Sequence, residues 1–182
     1  IYTVDPQTGQ HTVASASRNW QRPRYAPPDV LSVWPLKNAN DDFTILYTTA
    51  KFKGKTDDPA MADWIYGYFN INLKTGKTET RDFAPFTEIY FTGVRSPKDP
   101  NLMFGVLNRL AKYDIRQKKL LAAAEIPHSH YTISMNRSGS KVYLGGTWNN
   151  LAVYDADKLK PLSTVVLPGG DMGAASPQVF VR

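Results

Sequence analysis

Leu110-Ala111-Lys112-Tyr113-Asp114 returns as Leu151-Ala152-Val153-Tyr154-Asp155, an offset of 41, and Gly105 and Asn108 return at the same offset as Gly146 and Asn149. A fixed period in the range of twenty to fifty residues restricts a chain to solenoids, propellers and similar arrays. Two weaker copies lie upstream. They are Ile1-Tyr2-Thr3-Val4-Asp5 before Pro6-Gln7-Thr8-Gly9-Gln10, and Tyr68-Phe69-Asn70-Ile71-Asn72 before Leu73-Lys74-Thr75-Gly76-Lys77. Anchored on Asp5, Asn72, Asp114 and Asp155, the spacings are 67, 42 and 41. The first interval is about twenty-five residues too long for the period. Two irregular stretches account for the excess, Ser17 to Asp29 and Lys51 to Asp63.

Each copy is a run of alternating aromatic or branched residues entering an Asp or Asn turn, the pattern of an antiparallel hairpin. Four strands fit between successive turns: Glu88 to Arg95, Leu102 to Leu107, Leu110 to Asp114 and Lys119 to Glu125. The next unit offers Tyr131 to Met135, Lys141 to Gly145, Leu151 to Tyr154 and Pro161 to Leu167. The preceding one offers Val30 to Trp34, Phe43 to Thr49, Ile65 to Asn72 and Lys77 to Phe83. Four strands repeating near forty residues make a propeller blade. The expected fold is all-β: a half blade over 1–16, full blades over 17–86, 87–127 and 128–168, and a closing strand over 169–182. Lone terminal strands leave exposed edges, so further blades are expected N-terminal to Ile1. No window of twelve residues holds a helical stripe; Lys118 to Glu125 comes nearest. A β-sandwich would not explain the common spacing of Leu, Tyr and Asp.

Hydrophobic residues make up 42% of the chain, enough for a core, and no stretch approaches the length of a membrane span. No cysteine is present, which excludes disulfides, thiolate metal sites, thiol nucleophiles and covalent haem attachment in this chain. The net charge is +6, yet Lys and Arg occur singly between acids rather than in runs, so neither nucleic acid nor membrane is expected as a partner.

In a propeller, the turns from second to third strand and the connections between blades open on one face, and this is where ligands bind. The candidates gathered there are Asn108, Arg109, His128, His130, Trp148, Asn149, Asn150 and Asp171. His128 and His130 form the only His-x-His, a spacing that can aim two imidazoles at a metal, but no pair of acids is nearby, so loop histidines are the simpler reading. Trp148 beside Asn149 and Asn150 suits a partner interface or a pocket wall. Asn149 repeats Asn108, so a left-handed turn is expected there. Asp171 after Gly169-Gly170 could act as a base if buried, and is otherwise a turn residue. Arg18, Arg22 and Arg24 could receive an acidic partner or stand solvated in a loop. No catalytic residue and no metal site is assigned.

Longer stretches carry a family resemblance. They are Arg18-Asn19-Trp20, Ala26 to Leu31, Asn72 to Thr78, Thr87 to Asn101 reading TEIYFTGVRSPKDPN, Gly105 to Asp114 reading GVLNRLAKYD, Tyr143 to Trp148 reading YLGGTW, Leu167 to Met172 reading LPGGDM and Pro177 to Arg182 reading PQVFVR. Together they resemble the propeller subunit of quinohemoprotein amine dehydrogenase. The resemblance implies a seven-bladed propeller when complete and a periplasmic complex with a dihaem cytochrome c subunit. It also implies a small subunit bearing cysteine tryptophylquinone. It further implies oxidation of primary amines to aldehyde and ammonia, with both cofactors held by the partners. It transfers no catalytic residue onto this chain.

Overall fold

The computed structural model describes residues 2–13, 21–35 and 42–173. Its strands are β1 (Tyr2–Val4), β2 (His11–Val13), β3 (Asp29–Pro35), β4 (Asp42–Phe52), β5 (Ala62–Asn72), β6 (Thr78–Pro85) and β7 (Tyr90–Arg95). They continue as β8 (Leu102–Leu107), β9 (Arg109–Asp114), β10 (Lys119–Glu125), β11 (Thr132–Met135), β12 (Lys141–Gly145), β13 (Asn150–Asp155) and β14 (Pro161–Val166). They form one two-stranded sheet, β1-β2, and three four-stranded sheets in which consecutive strands are neighbours: β3 to β6, β7 to β10 and β11 to β14. Every pairing is antiparallel. The first strands of the three four-stranded sheets approach one another, β3 against β7 and β7 against β11, so these three sheets radiate from a common axis. The arrangement is that of a partial β-propeller. The closing strand expected near the C-terminus, with Pro177 to Arg182, lies outside the described residues, as do Arg18, Asn19 and Trp20.

The repeat has a physical origin in the turn that follows each third strand. The side-chain oxygen of Asp5 accepts from the N–H groups of Gln7 and Thr8, that of Asn72 from Thr75, that of Asp114 from Arg116 and Gln117, and that of Asp155 from Asp157 and Lys158. Four residues after each anchor the backbone turns left-handed, at Gly9 (φ 71°), Gly76 (φ 68°), Lys118 (φ 56°) and Leu159 (φ 52°). Glycine meets that requirement freely in the first two turns. In the others a side chain is held there, and at Leu159 burial in the core compensates. These hydrogen bonds to backbone N–H hold the Asp5 and Asp155 carboxyls below the usual carboxylate range.

Central strands are apolar on both faces because a blade is covered on both sides. In β8, Met103 belongs to the core shared with the preceding blade and Phe104 and Val106 to the core shared with the following one. Val142, Leu144, Ala152 and Tyr154 of the last blade face back into that second core. The first core joins Leu46, Tyr66, Tyr68 and Phe83 to Tyr90, Met103, Ala111 and Tyr113. Gly105 leaves room for the Tyr90 ring, whose atoms lie 2.8 Å from where a Cβ would stand, and Gly67 does the same for Tyr47. An extra residue bulges each outer strand against its neighbour, Leu121 opposite Lys112 and Tyr113, and Leu162 opposite Val153 and Tyr154. Such bulges increase the strand twist of a blade.

Two sequence expectations require correction. Lys51 to Asp63 is irregular only over residues 53–61, because β4 and β5 run on as a longer hairpin with Lys51 paired to Asp63 and Phe52 to Ala62. The short 3-10 turn Pro59–Met61 closes it, capped by Asp58 through the Ala60 N–H. The glycine match is also not structural. Gly105 pairs with Ala111, whereas Ala152, the repeat of Ala111, pairs with Leu144, so Gly146 falls in a turn.

Replacing Lys118, which is exposed, by glycine removes the strain of a left-handed lysine without loss of core contacts. Lys118→Gly is expected to stabilise the chain by about 0.5–1 kcal/mol in denaturant unfolding. A destabilisation would show that this turn does not require the left-handed residue.

Candidate functional site

The turn from β12 to β13 is longer than the turn from β8 to β9, and the extra length carries Gly146, Thr147 and Trp148 out from the blade end. Trp148 itself takes the left-handed conformation, at φ 53°. Asn149 and Asn108 do not, so the left-handed turn expected of Asn149 belongs to its neighbour. The Trp148 carbonyl accepts from Met172 N–H at 2.8 Å and the Asn149 carbonyl from Leu167 N–H, which ties this turn to the segment leaving β14.

His128 comes from the connection between β10 and β11. Its ring stacks on Trp148, with centroids 4.2 Å apart and planes 19° from parallel. One tautomer satisfies both nitrogens: Nδ1–H donates to the Ser129 carbonyl at 2.9 Å, and Asn150 Nδ2 donates to Nε2 at 3.1 Å. Thr147 Oγ1 also donates to the Ser129 carbonyl. Ser129 Oγ donates to Asn108 Oδ1 at 2.5 Å. His128, Ser129, Tyr131, Gly146, Thr147, Trp148, Asp171 and Gly173 together line an open concavity of about 360 Å³.

Of the candidates, the structure therefore brings His128, Trp148 and Asp171 to one concavity, supported by Asn150, with Asn149 tied by its backbone and Asn108 one hydrogen bond away. Arg109 is committed elsewhere, to ion pairs with Glu125 (2.8 Å) and Glu88 (3.4 Å). Asp171 is exposed and accepts from Gly173 N–H at 2.7 Å, so it is the turn residue of the two readings and has no apolar burial to make it a base. Arg22 pairs with Asp82 at 3.0 Å and stacks on Tyr25, and Arg24 pairs with Asp57, so neither stands as a free acceptor of an acidic partner. Ser129 and Thr147 belong to the loops that the sequence places on this face, whereas Tyr131 reads from sequence as the start of a strand. Their polar or aromatic character flanks the chosen residues, but only the fold shows that they converge. Tyr131 also meets Phe91 of the neighbouring blade, ring centroids 5.0 Å apart.

His130 lies beneath this surface. It is fully buried, with its ring centroid 4.3 Å from that of His128, and neither ring nitrogen makes a hydrogen bond of normal geometry. Burial, aided by the neighbouring His128, lowers its pKa to about 4. The nearby Gly145 carbonyl favours a proton there, but it already accepts from Tyr131 N–H and does not offset the burial. Two imidazoles are thus adjacent, yet no group of three or more His, Asp or Glu residues converges among the described residues to hold a metal.

No family model matches the chain, and no curated protein does. Solved structures similar to it include that of U3-55K, at 12% identity, and the WD40 repeats of RRP9, at 13%. Both give a TM-score of 0.40 over 43% of this chain and 27% and 26% of theirs. The chain thus spans about a quarter of each of those chains. The fold is a partial β-propeller. The strand order and the approach of the inner strands show it.

The folded state keeps His130 neutral, whereas the unfolded chain protonates it near the ordinary 6.5. The unfolded state therefore binds more protons below that value, so this contribution is complete above pH 6.5 and is lost as pH falls toward 4. Unfolding measured across that window is expected to show a loss of about 3 kcal/mol that His130→Leu largely removes. An identical pH profile in the variant would show that His130 is not the responsible group.

Proposed function

We propose that this chain belongs to the propeller subunit of a periplasmic quinohemoprotein amine dehydrogenase, with the Trp148 concavity as the surface that receives a partner and walls the amine's approach. Two things support the reading. The first is the set of stretches quoted above, from Thr87-Glu88-Ile89-Tyr90 through Leu167-Pro168-Gly169-Gly170. The second, and the observation that carries it on the structural side, is the state of Trp148: 58% exposed, yet fixed by the stack on His128 and the bond from Met172. A large aromatic surface held in a costly backbone conformation is a preorganised anchor, and exposed rigid aromatics dominate interface energetics.

In such a complex the quinone oxidises a primary amine to aldehyde and ammonia, and haem c carries the electrons away. This chain has no cysteine with which to build a thioether-linked quinone or attach haem, so both cofactors belong to partner subunits. Its own part is to bind the quinone-bearing subunit, exclude water from the site and line the entry path. A protein-binding propeller with no enzymatic association is the alternative, and the same anchor would serve it.

The test is capture of the full-length subunit from its native periplasm, followed by visible spectroscopy with and without a primary amine. Haem bands that become reduced on adding amine are expected. Trp148→Ala is expected to weaken capture of the small subunit at least about tenfold while leaving the melting temperature unchanged. A colourless chain bound to unrelated proteins would contradict the dehydrogenase reading.

A further inference from the structure

The face opposite the Trp148 concavity carries a charge pattern that the linear sequence conceals. In an antiparallel four-stranded blade, the turns joining first to second and third to fourth strands lie at the same end. The contacts between them confirm it: Ile115 N–H donates to Asn101 O in one blade, and Ala156 N–H donates to Ser140 O in the next. Adjacent blades also touch there, since a Cβ on Gly139 would meet Lys98 Cβ at 2.9 Å. These turns present Lys77, Lys98, Arg116, Lys118, Arg137 and Lys160, all exposed. None of the six makes an ion pair among the described residues.

Among the described residues, the acids of the same end are already engaged. Asp114 and Asp155 cap backbone N–H groups, Asp99 binds Asn101, Asp157 pairs with Lys112 and Glu79 with Arg81. Toward the other face, by contrast, Arg22, Arg24, Lys53 and Arg109 are paired with carboxylates. The capping and paired carboxylates stay charged, so the positive surplus is one of number: these turns hold eight Lys or Arg against Asp99, Asp114, Asp155 and Asp157.

We infer that this turn face is a docking surface for an anionic lipid bilayer, met through its phosphate headgroups. The charges come from separate turns of three neighbouring blades, so they spread across the breadth of the face. A planar bilayer can engage all of them, whereas a nucleic-acid duplex would meet only a strip. The turns carry no Phe, Tyr or Trp on which bases could stack, as single-stranded nucleic acid requires. No helix of the described residues is long and apolar enough to cross a membrane, and none is needed for peripheral contact. The sequence-based expectation of no membrane rested on the lack of a span and of basic runs; the turns assemble a patch without either.

Each basic side chain near an anionic surface contributes on the order of a fivefold gain in partition, and the gain is screened by salt. Sedimentation of the protein with vesicles of phosphatidylglycerol and phosphatidylcholine tests this directly. Binding is expected at low salt, with none to pure phosphatidylcholine, and reversal by 0.5 M salt, a condition at which the screening length falls to roughly a few ångströms. The triple variant Lys77→Glu, Lys118→Glu, Lys160→Glu is expected to lose at least about a hundredfold in partition. Lys55→Glu, on the β4–β5 hairpin at the other face, is expected to change it little, with melting temperatures confirming that both variants fold. No binding to anionic vesicles, an equal loss in Lys55→Glu, or tighter binding to duplex DNA than to the vesicles would each overturn the inference.

Discussion

The structure depends on the seam between neighbouring blades, where the hydroxyl of Tyr66 performs two tasks. It donates to the Glu88 carbonyl at 2.7 Å and accepts the N–H of Tyr90 at 2.8 Å, the first residue of the next blade's inner strand. Tyr90 begins the irregularity that releases Phe91 from the ladder, so Tyr66 completes the pairing where β7 enters its blade. The Tyr90 hydroxyl then meets that of Tyr113 at 2.8 Å, and Arg95 lies over the Tyr68 ring. Burial pushes the phenols of Tyr66 and Tyr90 well above their usual pKa, so they remain neutral donors and acceptors. A blade is a thin sheet and cannot bury both faces alone; its stability comes from neighbours, as in other repeat arrays.

From that seam the two ends of the blades acquire different characters. At one end the short Asp and Asn turns are nearly identical from blade to blade, because a side-chain cap and a left-handed fourth residue define them. They vary only in what they project, and what they project is mostly lysine and arginine. At the other end the hairpins and crossings differ in length, which brings Trp148 out of one blade and His128 out of the preceding connection to stack on each other. Constancy at one end and variation at the other let a single scaffold present a uniform charged face and a shaped aromatic one.

The strands were legible because period two and the Asp or Asn turn recur with each unit; β8, β10 and β12 begin and end where the residue pattern places them. The site was legible only in part. Residue type pointed to His128, Trp148 and Asn150, and the fold joins them. Counting by a fixed offset equated Asn149 with Asn108 and Gly146 with Gly105, and failed because the β12–β13 turn is longer than its counterpart. Pairing partners such as Asp82 for Arg22 and Glu125 for Arg109 lie in other strands, so linear spacing could not reveal that these charges are engaged. The basic face escaped notice for the same reason, since its members are dispersed along the chain and meet only at the turn ends.

The claim that neighbouring blades stabilise one another through Tyr66 is tested most directly by hydrogen exchange on the intact chain and on Tyr66→Phe. Loss of the hydroxyl leaves the buried Tyr90 N–H without its acceptor, at a cost of about 1–3 kcal/mol. The account predicts that protection falls together in β5, β7, β8 and β9, on both sides of the seam, while β13 in the blade beyond is less affected. A loss confined to β5, with β7 to β9 unchanged, would contradict it.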